Sequence, residues 1–248
     1  MVIVCDLDGV VWLADHAIDG SAAAVAELRA GGHRVLFVSN NSFSPVRDVE
    51  RKLAGFGVPA DGDVVTSAMA AARLVAAGER VLVAGGPGVR EEIERRGGRL
   101  VSDGPCEVVV VGFHRDFDYG ELQRTAAAVR AGARLIGTNG DATYPTPHGE
   151  IPGGGAILAA VATAGGVAPI VAGKPNAPMV DLVLEIIGGP PGAVVGDRLD
   201  TDGRFAAALA TRFVHVLSGV VNVPLAGDLP VWRTAADLRA AVSDLLAP

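Results

Sequence analysis

Two aspartates, one residue apart, follow the first apolar run of the chain. The run Val2-Ile3-Val4-Cys5 is followed directly by Asp6-Leu7-Asp8-Gly9. Open α/β sheets carry their chemistry at the carboxyl ends of parallel strands, and paired carboxylates there suit a metal ion and a phosphate group. The same letters also occur in calcium-binding loops and ordinary turns, so the pair indicates a catalytic site only if other motifs accompany it.

A hydroxyl motif follows the second apolar run. Val35-Leu36-Phe37-Val38 leads into Ser39-Asn40-Asn41-Ser42. A hydroxyl and exposed backbone N–H groups at a strand end can bind a phosphate oxygen. Such a segment is also typical of turns and helix caps, and the motif alone leaves both interpretations open.

A lysine follows a third apolar run, in the segment Gly173-Lys174-Pro175. Only Lys52 and Lys174 among the 21 basic residues are lysine, so the chain otherwise uses arginine. The lysine ammonium is compact and has three rotatable N–H donors, whereas the arginine guanidinium is a planar fork. A lysine at this position indicates a site that needs the compact group. Lys174 is therefore a candidate for neutralising a phosphate.

A second group of acids follows the apolar run 193–196. Asp197 comes directly after that run, and Asp202 lies five residues further on. A carboxylate at a strand end suits a hard cation such as Mg²⁺. Asp200, between them, is expected to cap a helix or face solvent.

Apolar runs alternate with alanine-rich stretches throughout the chain, which predicts an α/β fold with a parallel sheet. The predicted strands are 2–5, 34–39, 80–84, 107–113, 134–138, 170–172, 193–196 and 213–217. Helices are predicted to begin near Ser21, Pro45, Ser67, Gly88, Tyr119, Gly154, Ala177 and Thr234. Residues 79–169 have their own alternation of strands and helices, and this pattern fits either one continuous sheet or an inserted domain.

Composition narrows the range of partners. The formal net charge of −7 argues against binding to nucleic acid or to an anionic membrane. No apolar stretch approaches the length of a membrane span, and no basic segment precedes the first strand, so we expect a cytoplasmic protein. Cys5 and Cys106 both lie in or beside apolar runs and are expected to be reduced thiols.

The four motifs together resemble the haloacid dehalogenase-like superfamily. The phrases D-L-D-G-V-V, S-N-N-S, G-K-P and G-D-R-L-D-T-D are similar to its NagD-type and p-nitrophenylphosphatase-like branch. The resemblance implies a Rossmann-like parallel-sheet core, residues 1–78 and 170–248, with an inserted α/β cap domain, residues 79–169. The segment 138–155 is similar to the cap signature of this branch. Ser39 replaces a common threonine, and Gly203 replaces the apolar residue that usually follows the last motif acid.

The resemblance also implies a Mg²⁺-dependent phosphatase that acts on small phosphorylated metabolites through an aspartyl-phosphate. Asp6 would be the nucleophile, and Asp8 would be the general acid and then the general base. A turn after Asp8, which Gly9 can supply, is needed to bring both carboxylates to one phosphorus atom.

The same resemblance assigns the remaining motif residues to binding. Mg²⁺ would be held by Asp6, Asp197 and the backbone carbonyl of Asp8. The phosphate would be held by Ser39, Lys174 and the backbone N–H of Asn40. Asp202 would support Lys174 or a metal-bound water.

Other functions stay open at this point. A phosphomutase of the same superfamily fits the motifs, and so, less well, does a phospho-acceptor signalling module without turnover. A silent binding protein is disfavoured by the intact motifs. The physiological substrate is not indicated, although sugar phosphates, glycerol phosphate, phosphoglycolate and nucleotides all fit.

Outside the motifs, three residues are weaker candidates. Asp141 and His148 are candidates for substrate specificity, or else a satisfied pair of polar loop residues. Trp12 would line a cap interface or simply pack in the core. Capped relatives often dimerise, so a homodimer is left open.

Overall fold

The computed structural model describes residues 1–146, 149–219 and 230–247. Its strands, numbered in chain order, are β1 (Val2–Cys5), β2 (Trp12–Leu13), β3 (His16–Ala17), β4 (Arg34–Ser39), β5 (Val64–Thr66), β6 (Arg80–Ala84), β7 (Arg99–Val101), β8 (Val108–Val111), β9 (Arg134–Gly137), β10 (Thr143–Thr146), β11 (Gly149–Pro152), β12 (Ile170–Val171), β13 (Ala193–Gly196), β14 (Arg212–Val216) and β15 (Arg233–Ala235). Its helices are α1 (Ser21–Ala30), α2 (Val46–Gly55), α3 (Ser67–Ala72), α4 (Pro87–Arg95), α5 (Tyr119–Arg130), α6 (Gly154–Gly165), α7 (Ala177–Ile187), α8 (Arg204–Ala208) and α9 (Leu238–Leu246).

The chain divides into two compact units. The first unit comprises residues 1–39, 47–65 and 174–248, and the second comprises residues 40–46 and 66–173. The second unit therefore interrupts the first along the sequence. None of the described helices has both the length and the apolar character needed to cross a membrane.

A six-stranded sheet forms the centre of the first unit, in the order β15-β14-β13-β1-β4-β5. β1 pairs in parallel with β4 and with β13, and its residues Ile3 and Cys5 have no exposed surface. A parallel sheet covered on both faces needs such continuous apolar strands. Helices α1 and α9 pack against each other, α1 also contacts β4, and α9 contacts β14 and β15.

A five-stranded sheet forms the centre of the second unit, in the order β12-β9-β8-β6-β7. The four valines of β8 are buried. Helices α5 and α6 pack against each other and against β8, and the antiparallel hairpin β10–β11 lies against α6. Leu135, Leu158 and Val161 belong to the apolar core between these helices and the sheet.

The predicted alternation of parallel strands and helices is confirmed. All eight predicted strands occur, within two residues at either end. The helix expected near Thr234 begins instead at Leu238, because Arg233–Ala235 pairs with β14 as strand β15. Cys5 and Cys106 are free thiols, Cys5 buried and Cys106 half-buried.

The limits of the second unit differ from the predicted 79–169. Residues 66–78 belong to it because α3 packs against α4, and residues 170–173 belong to it because β12 pairs in parallel with β9. The segment 40–46 also belongs to it, and there the Phe43 carbonyl accepts a hydrogen bond from the Gly88 N–H.

Candidate active site

Three neighbouring strands of the first sheet end in motif residues. β1 runs into Asp6, β4 ends at Ser39, and β13 runs into Asp197. These strands are parallel, and the Asp6 N–H donates to the Val195 carbonyl at 2.9 Å, which extends the pairing of β1 with β13 to the aspartate itself. The first sheet therefore presents these three side chains at one edge.

A buried lysine joins two of the acids. The Lys174 ammonium donates to Asp6 Oδ1 and to Asp202 Oδ1, each at 2.7 Å. Lys174 and Asp202 are 4% and 0% exposed, so these ion pairs are shielded from water. Removing one partner of such a group leaves an uncompensated buried charge, so the three side chains stabilise one another's position.

A glycine allows Asp202 to approach the strand end. Residues 199–203 form one wide (π) helical turn, and α8 begins after it, at Arg204. A side chain at Gly196 would overlap the Asp202 carboxyl group. Gly203, which stands where the family usually has an apolar residue, is buried inside this turn. The turn brings a carboxylate five residues after Asp197 back to the end of β13.

Burial and neighbouring charges both shift the pKa values of this cluster. Burial raises the pKa of Asp6 well above its ordinary value, and the Asp202 carboxylate raises it further, whereas Lys174 lowers it. Burial alone would lower the pKa of Lys174, but Asp202 and Asp6 raise it above its ordinary value. Lys174 is thus held as a cation, and added positive charge would favour an ionised Asp6.

The donor set fits a hard divalent cation. Asp6, Asp197 and Asp202 are buried, and one oxygen of each lies within 4.8 Å of the others. The donors are carboxylate oxygens, which Mg²⁺ and Ca²⁺ prefer. Lys174 brings one positive charge to three carboxyl groups, so a divalent cation would offset the excess negative charge of their ionised forms.

Asp8 follows Asp6 at a sharp turn. Gly9 has a φ of 83°, the left-handed conformation that the predicted turn requires. A side chain at Gly9 would also overlap the Asp197 carboxyl group. Oδ1 of Asp8 accepts a hydrogen bond from Nε1 of Trp12 at 2.9 Å.

The environment of Asp8 sets its acidity. Burial raises the pKa of Asp8, while the Trp12 hydrogen bond, Lys52 and Lys174 lower it. A carboxyl group with a raised pKa keeps a proton more readily near neutral pH, which suits a general acid.

Ser39 and Asn40 lie on either side of the division between the units. Ser39 is buried at the end of β4 in the first unit. In the second unit, Asn40 Nδ2 donates to the Asp141 carboxylate at 3.2 and 3.3 Å. The Asn40 carbonyl accepts hydrogen bonds from Ser67 Oγ at 2.6 Å and from Asn139 Nδ2 at 2.8 Å. Asp141 thus forms part of a polar network around Asn40, and His148 lies outside the described residues.

Two residues beside Asp8 were not predicted from the sequence to act on it. The sequence predicts Trp12 only at an interface or in the core and predicts no role for Lys52, although the scarcity of lysine is a usable signal for it. Asp200 lies apart from the acid cluster as expected, because its half-exposed side chain pairs with Arg198 at 2.7 Å.

Two sequence profiles match the chain. The profile described as haloacid dehalogenase-like hydrolase matches residues 3–99, and a HAD-hydrolase-like profile matches residues 171–241. Together they cover all four motifs. The chain belongs to the haloacid dehalogenase-like hydrolases.

Relatives place this hydrolase in one branch of the family. An acid sugar phosphatase of Staphylococcus saprophyticus is 35% identical over 223 residues, which cover 88% of this chain and 86% of the relative. A glycerol phosphate phosphatase of Mycobacterium tuberculosis, solved with magnesium, has a TM-score of 0.90 at 34% identity, covering 99% of this chain and 78% of that one. A p-nitrophenyl phosphatase of Archaeoglobus fulgidus has a TM-score of 0.89 at 28% identity, covering 98% of both chains. The hydrolase is thus a member of the NagD-type and p-nitrophenylphosphatase-like branch and a phosphoric monoester hydrolase.

Proposed function

We propose that this hydrolase removes phosphate from small phosphorylated metabolites, with Mg²⁺ as cofactor and Asp6 as nucleophile. The observation that carries the proposal is the buried cluster of Asp6, Lys174, Asp197 and Asp202 at the strand ends of the first unit. The named activities of the relatives, on sugar phosphates and glycerol phosphate, support this class of substrate.

Two aspartates divide the reaction into two steps. An Asp6 carboxylate oxygen attacks phosphorus, the bond to the leaving oxygen breaks, and Asp8 gives that oxygen its proton. The ionised Asp8 then takes a proton from water, and the resulting hydroxide attacks the phosphorus of the aspartyl-phosphate. Inorganic phosphate leaves, and Asp6 is restored as a carboxylate.

Charge stabilisation is the second task of the site, because phosphoryl transfer spreads negative charge over the equatorial oxygens. The Ser39 hydroxyl, the Lys174 ammonium and the Asn40 backbone N–H would hold those oxygens. Asp202 would keep Lys174 charged and in place.

Asp6, Asp197 and the Asp8 carbonyl would hold Mg²⁺. Bound Mg²⁺ would supply positive charge that offsets the repulsion between the carboxylates and a phosphate dianion. The carboxylate donor set supports this assignment.

We further propose that the second unit is the cap domain of the family and selects among substrates. The position of its main segment in the chain, residues 66–173, after the hydroxyl motif and before Lys174, supports this role. The proposed compartment is the cytoplasm, where Cys5 and Cys106 would stay reduced. The homodimer stays a prediction, which sedimentation of the purified protein would test.

A phosphate-release screen tests the proposed function. Sugar phosphates, glycerol phosphate, phosphoglycolate and nucleotides are each supplied with Mg²⁺, and the products are separated so that a phosphomutase would be recognised by a rearranged phosphate ester. We expect inorganic phosphate from at least one of the sugar or glycerol phosphates. A stable phosphoprotein with no release from any ester would contradict the proposal and favour a signalling module.

A further inference from the structure

The geometry points to Trp12 as the positioning residue for the Asp8 carboxyl group, with Lys52 holding the indole ring. This inference rests on the proposed function, in which Asp8 transfers the protons. Trp12 is 4% exposed, and its indole N–H lies 2.9 Å from Asp8 Oδ1. An indole N–H can only donate, so it engages Oδ1 whether or not the carboxyl group is protonated. Oδ2 is thereby the oxygen that carries the transferable proton.

Backbone hydrogen bonds connect Trp12 to the turn that contains Asp8. The Gly9 N–H donates to the Trp12 carbonyl at 2.7 Å, and the Trp12 N–H donates to the Leu7 carbonyl at 3.2 Å. Both bonds connect Trp12 to the turn that contains Asp8. Trp12 also pairs with Ala17 in the β2–β3 hairpin. The donor and its acceptor are thus part of one hydrogen-bonded turn.

Lys52, one of the two lysines in the chain, completes this arrangement from α2. Its ammonium lies 4.4 Å from the centroid of the Trp12 ring and donates to the Ala14 carbonyl at 2.7 Å. Phe56 packs on the same indole with a centroid separation of 6.0 Å. A cation on the face of an indole is attracted to the ring and polarises it, which strengthens the N–H as a donor.

Trp12→Phe tests the inference, because it keeps an aromatic ring for Lys52 and Phe56 but removes the N–H. We expect kcat/KM for glycerol phosphate to fall about tenfold more than kcat/KM for p-nitrophenyl phosphate, whose leaving group needs little protonation. A variant with only a general structural defect would lose both activities by the same factor. Equal losses, or no loss, would therefore overturn the inference.

Trp232→Phe is the matched control. Trp232 is the other tryptophan of the chain, and Arg212 and Arg233 lie over its ring at 4.8 and 4.9 Å. Like Trp12, Trp232 lies in the first unit with a cationic side chain over its ring. The control therefore removes an indole N–H from a similar environment that is not next to Asp8. We expect both kcat/KM values to stay at the wild-type level.

Lys52→Met provides a second variant that leaves the indole in place, in case Trp12→Phe does not fold. We expect the same selective loss with a smaller factor, and recovery in Lys52→Arg. An unchanged ratio of the two kcat/KM values in Lys52→Met would overturn the role of Lys52.

A spectroscopic experiment tests the hydrogen bond independently of turnover. The chain contains two tryptophans, so its proton–nitrogen spectrum holds two indole signals, which Trp232→Phe assigns. In Asp8→Ala the Trp12 N–H signal should move upfield while the Trp232 signal stays. An unmoved Trp12 signal would overturn the inference. A wild-type protein that hydrolyses no ester would refute the proposed function and the role in proton transfer. The spectrum would still show whether the Trp12 N–H donates a hydrogen bond to Asp8.

Discussion

At the scale of single residues, Asp6 is a buried member of the charged cluster. Its carboxyl group forms an ion pair with the Lys174 ammonium at 2.7 Å and lies beside Asp197 and Asp202. An amide at this position keeps the shape but is a poor nucleophile. We expect Asp6→Asn to lower p-nitrophenyl phosphate hydrolysis by a factor on the order of 10⁴ or more while the protein stays folded.

Steady-state rates and a mass measurement after acid quench check this prediction. The wild-type protein should carry one added phosphoryl group during turnover, and Asp6→Asn should carry none. Unchanged turnover by a folded Asp6→Asn protein would refute the assignment of the nucleophile.

The two acids after β13 differ in environment and should differ in function. Asp197 is buried beside Asp6, whereas Asp200 pairs with Arg198 and is half-exposed. We expect Asp197→Asn to raise the Mg²⁺ concentration for half-maximal activity by at least about tenfold. Losing a residue that only hydrogen-bonds to a metal ligand already has an effect of this size, and Asp197 is proposed as a ligand itself. Asp200→Asn should change it little.

Titration of activity with Mg²⁺ measures this difference, and added Ca²⁺ should inhibit because it accepts more ligands in looser geometry. Full activity after exhaustive chelation, or equal effects of the two substitutions, would contradict the metal assignment.

At the scale of elements, a surface ion pair connects two strands of the second sheet. The Arg80 guanidinium at the start of β6 binds the Glu107 carboxylate before β8 at 2.6 Å, and the Arg80 N–H binds the same carboxylate at 2.7 Å. These hydrogen bonds lower the pKa of Glu107 to about 2. A lowered pKa means that the pair stabilises the fold above the ordinary pKa of glutamate, about 4.3, and that this contribution is lost as pH falls towards 2.

We therefore expect Glu107→Gln to lower the melting temperature slightly at neutral pH, with the difference from wild type shrinking below about pH 4. Both residues are solvent-exposed, so the effect should also weaken in high salt. Thermal melts across this pH range check it. A difference that grows as the pH falls would contradict the role of this pair.

The elements also show what the sequence could predict. Strand ends marked by Asp6, Ser39 and Asp197 were predictable, because a buried apolar run that stops at a polar residue marks the point where a parallel strand leaves the core. The sheet to which Ile170–Val171 belongs was not predictable, since a two-residue strand carries no information about its partner. Strands β5 and β7, with three residues each, are almost as short.

The contact between Trp12 and Asp8 could not be predicted from the sequence, for a different reason. Trp12 lies four positions after Asp8, and the turn at Gly9 brings its indole to the carboxyl group. An extended strand would have placed the same two side chains on one face but far apart.

At the scale of the whole molecule, the charge of the chain opposes its proposed substrate. The formal net charge is −7, and a phosphate ester is an anion. The overall field therefore repels the substrate, and local positive charge must overcome it. Lys174 is the buried cation of the site, and it already neutralises carboxylates, which is a further reason to expect a divalent cation beside it.

The division into two units gives the last prediction. The second unit has its own sheet and apolar core and occupies a continuous insertion from residue 66 to residue 173, apart from the segment 40–46. If it is a cap that selects substrates, the first unit holds the reacting groups by itself.

Joining Val65 to Lys174 through a short Gly/Ser linker should then leave a folded core that retains Asp6, Asp8, Asp197 and Lys174. We expect this core to hydrolyse p-nitrophenyl phosphate weakly and to lose discrimination between sugar phosphates and glycerol phosphate, since small activated esters need little positioning beyond the phosphate. Circular dichroism establishes folding, and the ratios of kcat/KM across substrates measure discrimination. A folded core with wild-type ratios would show that the second unit does not set specificity, and specificity would then have to come from residues of the first unit.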